Sequence, residues 1–195
     1  MLWTKTMMTS IPNLLTLSRI AAVPVMIAVM MFCEGSAASW LAFWVYFYAC
    51  VTDFFDGYIA RIMNEQSPLG RFLDPIADKL LVGAVLMLLA GYDKIGGWTL
   101  LPALIILMRE ILVSGLREFL AELHISVPVS NLAKWKTTIQ MLALGFLIVG
   151  EHSPEAIPSV MIGTYGIWAA ALLTLVTGYD YLRAGLRHIA APGKA

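Results

Sequence analysis

Residues 52–80 read TDFFDGYIARIMNEQSPLGRFLDPIADKL. The stretch sets Asp53, Asp56, Asp74 and Asp78 into a chain that is 59% hydrophobic and only 13% charged, where a soluble domain carries roughly 25% charged residues. Asp53, Asp56, Gly57 and Ala60 fall at i, i+3, i+4 and i+7, so on a helix they share one face. Gly70, Asp74 and Asp78 fall at i, i+4 and i+8 and stripe the next helix in the same way. The turn formers SPLG at 67–70 separate the two. Two antiparallel helices so joined are expected to bring both aspartate stripes together in one half of a membrane. From Asp53 to Arg61 is about 12 Å along a helix axis, at ~1.5 Å per residue.

Outward from this stretch the chain is a series of apolar runs, with a mean hydropathy of +0.78. About 20 apolar residues cross a bilayer as a helix, and such runs occupy 11–33, 39–61, 72–91, 97–116, 135–150 and 158–182. The expected fold is an all-α membrane protein of six transmembrane helices, a single domain over residues 1–195. Turn formers fill the gaps: EGS at 34–36, GYDKIGG at 91–97 and EHSPEAIP at 151–158. Ser10 and Pro12 mark the start of the first helix. The N-terminal MLWTKTMMTS carries one Lys before an apolar run with no small-residue cleavage site, which reads as a retained helix and not a signal peptide.

Charge fixes the orientation. Lys5, Arg61, Arg71, Arg117, Lys134, Lys136, Arg183, Arg187 and Lys194 fall on or beside one side, and Lys94 alone on the other. By the positive-inside rule, an even number of spans then leaves both termini in the cytoplasm. Trp40 and Trp98 on the outer side, with Trp3 and Trp135 on the inner, form an interfacial aromatic belt. Cys33 and Cys50 lie in apolar surroundings and read as buried free thiols. His124, His152 and His188 have no ligand spacing, so no zinc site is expected. Formal net charge is zero, and no nucleic-acid partner is expected.

An aspartate at the centre of a membrane helix costs about 2.5–3.5 kcal/mol to insert, so four unpaired ones approach about 10 kcal/mol. Lys79 and Arg71 offer counter-charge for one or two. Two divalent cations match all four, and carboxylate oxygens are hard ligands suited to Mg2+ or Mn2+. Gly57, Ala60 and Gly70 clear space beside the acids, although small residues also serve close packing in membranes. With Arg61 and Arg71 nearby, the composition suggests a pocket for a metal-bound phosphate. The competing reading is an ion-pair network that only fixes helix packing.

Residues 53–78 run D-x2-D-G-x2-A-R-x8-G-x3-D-x3-D with every fixed position filled. This resembles the signature of the CDP-alcohol phosphotransferase family, whose members displace CMP from a CDP-activated alcohol with the hydroxyl of a second alcohol, using two divalent metals. The resemblance implies that Asp53, Asp56 and Asp74 are metal ligands. It implies that Asp78 completes the second metal's site and acts as general base, and that Gly57, Ala60, Arg61 and Gly70 shape the nucleotide site. Asn13, Thr16 and Arg19 form a polar i, i+3, i+6 strip on the first helix and are expected to touch the nucleotide or a phosphate. The cytoplasmic depth suits a lipid donor arriving sideways and a soluble acceptor arriving from the cytoplasm.

IPNLLTLSRI at 11–20, REILVSGLREFLAELHISVPVS at 109–130 and AKWKTTIQM at 133–141 extend the likeness to the phosphatidylglycerophosphate synthase branch. That branch joins CDP-diacylglycerol to sn-glycerol 3-phosphate, giving phosphatidylglycerophosphate and CMP. Ala133 stands where the branch often has glycine. An acceptor bearing a phosphate needs fixed cations, and Arg109, Arg117, Lys134 and Lys136 supply them. Each has a plainer reading: Arg109 paired with Glu110, Arg117 with Glu118 or Glu122, and the lysines as membrane anchors. Inositol phosphate, phosphatidylglycerol or serine are the rival acceptors, and a divalent-cation transporter is the rival of another class. The resemblance also implies a homodimer, and the expected location is a bacterial cytoplasmic (inner) membrane with the active site facing the cytoplasm.

Overall fold

Apolar runs of this length have one way to satisfy their backbone in lipid, which is to close every N–H onto its own helix. The computed structural model describes residues 11–63, 68–123 and 131–190, and all of its regular structure is helical. Its helices are α1 (Ile11–Phe32), α2 (Gly35–Met63), α3 (Pro68–Gly91), α4 (Leu100–Glu122), α5 (Asn131–Val149) and α6 (Ser159–Ala190). Single 3-10 turns at Gly97–Thr99 and Gly150–His152 lead into α4 and away from α5. Five of the six are long and apolar enough to cross a membrane. The exception is α3, whose Arg71, Asp74, Asp78 and Lys79 dilute its hydropathy.

The helices overrun the apolar runs at one end of the bundle. There α2 continues to Met63, α4 to Glu122 and α6 to Ala190, while α3 starts at Pro68 and α5 at Asn131. Charged residues fill these extensions, and a helix tolerates them once it leaves the hydrocarbon. Pro68 opens α3, a position where the missing N–H would be unsatisfied anyway.

The core runs the length of the bundle. Ala22, Met26 and Met30 of α1 meet Ala42, Tyr46 and Ala49 of α2 and Leu81, Val85 and Leu89 of α3. Leu144 and Leu147 of α5 and Ile167 and Ala170 of α6 continue it. α5 and α6 pack tightly, and a Cβ on Gly166 would stand 2.7 Å from the Ala143 Cβ. Small residues allow such contact between membrane helices. At most half of each apolar span is buried inside the chain. Phe32, Met87 and Trp98 are among the large apolar side chains left outside, a surface that lipid would cover.

At the opposite end of the bundle, Lys94 draws three elements together. Its Nζ donates to Ser39 Oγ of α2 at 2.9 Å and to the Ile148 carbonyl of α5 at 2.6 Å. Ser39 Oγ lies 3.1 Å from His152 Nδ1, and Trp40 Nε1 donates to the His152 carbonyl at 3.1 Å. Burial pulls the Lys94 ammonium below its ordinary pKa, and Glu151 opposes the shift. Gly150, at φ +58°, turns the chain beside this lysine. Cys33 and Cys50 are free thiols as expected, but half-buried.

Candidate active site

The polar strip of α1 is buried: Asn13 and Thr16 almost wholly, Arg19 completely. Thr16 Oγ1 donates to Asp74 Oδ1 at 2.7 Å. Arg19 Nη1 stands 2.6 Å from Asp53 Oδ1 and 2.6 Å from Asp78 Oδ1. Asp53 and Asp78 keep side-chain exposures of 33% and 52%, so each carboxylate retains an open side.

Asp53 and Asp78 do come together, as the two stripes were expected to, but they meet through α1 and not by direct packing of α2 on α3. Among the described residues, α2 and α3 make no extended packing with one another, and each packs on α1 instead. Two carboxylates brought together unaided repel, whereas a guanidinium between them binds both. Lys79, expected as a counter-ion to the aspartates, pairs with Glu118 at 3.5 Å. Pro75 follows Asp74 within α3 and removes one backbone donor beside the acids.

The basic residues gather on α4 and α5. Lys136, almost fully buried, forms an ion pair with Glu110. Arg109 Nη1 lies 3.6 Å from the same Glu110 carboxylate, and its Nη2 donates to Thr177 Oγ1 of α6 at 3.4 Å. Gly178 makes room for it, since a Cβ there would stand 3.1 Å from Arg109 Cγ. The Arg109 Nε is buried and has no hydrogen-bond partner among the described residues. Arg117 turns to Tyr181, donating to its hydroxyl at 3.3 Å with its guanidinium 5.5 Å from the ring centroid. The expected alternatives for Arg117, Glu118 and Glu122, are not its observed partners.

Acidic and basic residues face one cavity of about 610 Å³. Asp53, Asp78 and Lys79 line it from α2 and α3, Arg109, Glu110 and Arg117 from α4, and Lys134, Lys136 and Gln140 from α5. Asp74 is held by Thr16 beside this cluster, and Gly70 is buried one turn earlier on α3. Asp56, Gly57, Ala60 and Arg61 lie on the last turns of α2, and their side chains fall outside the described residues.

The donor set suits hard divalent cations. It offers carboxylate oxygens, which Mg2+ and Mn2+ prefer, and the Arg19 guanidinium already puts positive charge between Asp53 and Asp78. As they stand, no three acidic or thiol side chains among the described residues cluster as a ready-made metal centre. Glu110, Thr177, Tyr181 and Gln140 are additions to the site. Glu110 does pair with Arg109, the plainer reading of that residue, and it binds Lys136 as well. The one signal for the α6 pair was a Thr and a Tyr at i, i+4 within an apolar helix.

The family profile described as CDP-alcohol phosphatidyltransferase matches residues 9–176. A CDP-diacylglycerol--glycerol-3-phosphate 3-phosphatidyltransferase from Rickettsia bellii is 47% identical over 175 residues, spanning 90% of this chain and 94% of its own length. Its counterpart from Cereibacter sphaeroides is 39% identical, spanning 92% of this chain and 97% of its own. That from Haemophilus influenzae is 36% identical, spanning 89% and 92%.

Proposed function

The chain belongs to the CDP-alcohol phosphatidyltransferase family, and we propose that it transfers the phosphatidyl group of CDP-diacylglycerol to sn-glycerol 3-phosphate, giving phosphatidylglycerophosphate and CMP. One observation carries this reading: the cavity that holds Asp53 and Asp78 on one side holds Arg109, Arg117, Lys134 and Lys136 on the other. An acceptor with its own phosphate needs those cations, and serine would leave them without a partner. The names of the relatives agree with that choice of acceptor.

In the proposed reaction the acceptor hydroxyl attacks the phosphatidyl phosphorus. A P–O bond to the acceptor forms, the P–O bond to CMP breaks, and the hydroxyl proton passes to Asp78. A free hydroxyl is a poor nucleophile at neutral pH, so a carboxylate within reach supplies the base. Two divalent cations, Mg2+ or Mn2+, held by Asp53, Asp56, Asp74 and Asp78 would polarise the pyrophosphate and stabilise the leaving CMP. Arg19 positions Asp53 and Asp78, and Thr16 positions Asp74. Gly57, Ala60, Arg61, Gly70 and Asn13 shape the nucleotide side. Arg109, Arg117, Lys134 and Lys136 hold the acceptor phosphate, with Glu110 keeping Lys136 aimed into the cavity until the phosphate arrives.

The proposed topology has six spans, with α3 as the sixth, both termini in the cytoplasm of a bacterial inner membrane, and the cavity opening to the cytoplasm. Its support is the excess of Lys and Arg at the cavity end, which the positive-inside rule assigns to that compartment. Residues 1–195 act as one domain in this reading. The test is CMP release by the purified protein in detergent, with CDP-diacylglycerol, Mg2+ or Mn2+, and one acceptor per reaction. Release with sn-glycerol 3-phosphate alone, abolished by a chelator, is the expected result. Release with another alcohol alone would overturn the acceptor, and no release from folded protein would overturn the activity.

A further inference from the structure

Gln140 is a cavity residue whose chemistry the reaction above leaves unused. It lies on α5 one turn after Lys136, on the same face, and lines the cavity with Asp78 and Arg109. Only 2% of the residue is exposed. Its amide oxygen is buried with no hydrogen-bond partner among the described residues. Buried polar atoms nearly always find partners, and an exception calls for a cause. A glutamine amide both donates and accepts, and a buried amide oxygen lacking a donor is costly in an apolar bundle.

The acceptor supplies such a donor. sn-Glycerol 3-phosphate carries two hydroxyls besides its phosphate. One attacks phosphorus and the other takes no part in bond making, so it needs a place that neither the carboxylates nor the phosphate-binding cations provide. A carbonyl oxygen at hydrogen-bond reach suits it, because a hydroxyl donor meets the unmet acceptor of Gln140. We infer that Gln140 binds the non-reacting secondary hydroxyl of the acceptor and so selects a polyol phosphate over a simple hydroxyalkyl phosphate. The inference rests on the proposed activity and deepens it. Lys136 and Gln140, a turn apart, then read the acceptor's phosphate and its second hydroxyl from one helix face. The spacing fits a three-carbon molecule, since adjacent turns lie about 5.4 Å apart along the axis.

A comparison of two acceptors in wild type and Gln140→Met tests this. 3-Hydroxypropyl phosphate keeps the phosphate and a primary hydroxyl but lacks the secondary one. Wild type is expected to prefer sn-glycerol 3-phosphate by roughly 10- to 100-fold in kcat/KM, the range for a site built around one hydrogen bond. Gln140→Met is expected to narrow that preference to within about 3-fold, through a raised KM for glycerol 3-phosphate and a smaller change with the analogue. A preference that survives in the variant would overturn the inference. So would an equal loss with both acceptors, which would make Gln140 a packing residue. If wild type turned over neither acceptor, it is the proposed activity itself that would fall.

Discussion

The two sides of the cavity are built on opposite charge balances, and in each a residue of the other sign bridges two like charges. On α1–α3 the carboxylates of Asp53 and Asp78 share the single guanidinium of Arg19. On α4–α5 the cations Arg109 and Lys136 share the single carboxylate of Glu110. In each case the resident counter-ion lowers the cost of keeping like charges in a membrane without cancelling them. The acidic side is left with capacity for cations and the basic side for an anion. A salt-bridge network whose only role was packing would balance each side within itself.

Breaking the acidic side at its proposed base should have the largest effect. Asp78→Asn is expected to lower kcat for CMP release by roughly 10²- to 10⁴-fold, with the KM for glycerol 3-phosphate little changed; turnover near wild type would remove Asp78 from the proton transfer. Removing the counter-ion should act on the fold first. Arg19→Met leaves two facing carboxylates unpaired and should destabilise the protein by about 3 kcal/mol, the lower end for a broken buried pair because both acids are partly exposed. Added Mg2+ should restore part of the lost melting temperature in detergent, and a melting temperature indifferent to Mg2+ would argue against cation binding between these acids.

The basic side should respond in a different parameter. Lys136→Ala is expected to raise the KM for glycerol 3-phosphate about 10- to 100-fold, the loss of one charge-assisted contact. The KM for CDP-diacylglycerol should stay within about 3-fold. The reverse pattern would exchange the roles of the two sides. A change outside both sides should leave chemistry alone: Gly166→Val drives a side chain into Ala143 and is expected to cost about 1–3 kcal/mol of stability. Its KM values should match wild type, and a shift in either would tie α6 packing to the site.

Much of this arrangement could be read from residue order. The apolar runs located all six helices, because a bilayer demands unbroken hydrophobic length. Among them the run at 72–91 located α3, although its charges keep it out of the helices apolar enough to span. Helix spacing placed Asp53 with the last turns of α2, and Asp74 with Asp78. It did not reveal that Arg19 would join Asp53 to Asp78, 59 positions away from the latter. Local periodicity fixes which residues share a face, whereas the choice of facing helix depends on how the whole bundle closes. For the same reason Lys79 was paired with the acids near it in sequence, although Glu118 on α4 is its partner. The boundaries were short at the charged ends, where helices run on after the apolar signal stops.

The Lys94 contact at the opposite end has a mechanical consequence. It ties α2, α5 and the connection between α3 and α4 at one point. For a rigid helix tilting about such a point, displacement grows in proportion to distance from it. Ser39 and Asp53 are about 21 Å apart along α2, at ~1.5 Å per residue, so a tilt of about 5° at the pin moves the carboxylate by about 2 Å. That is a large fraction of the distance between a nucleophile and its target. A change of tilt at Lys94 would therefore be felt at the carboxylates, far from the lysine itself.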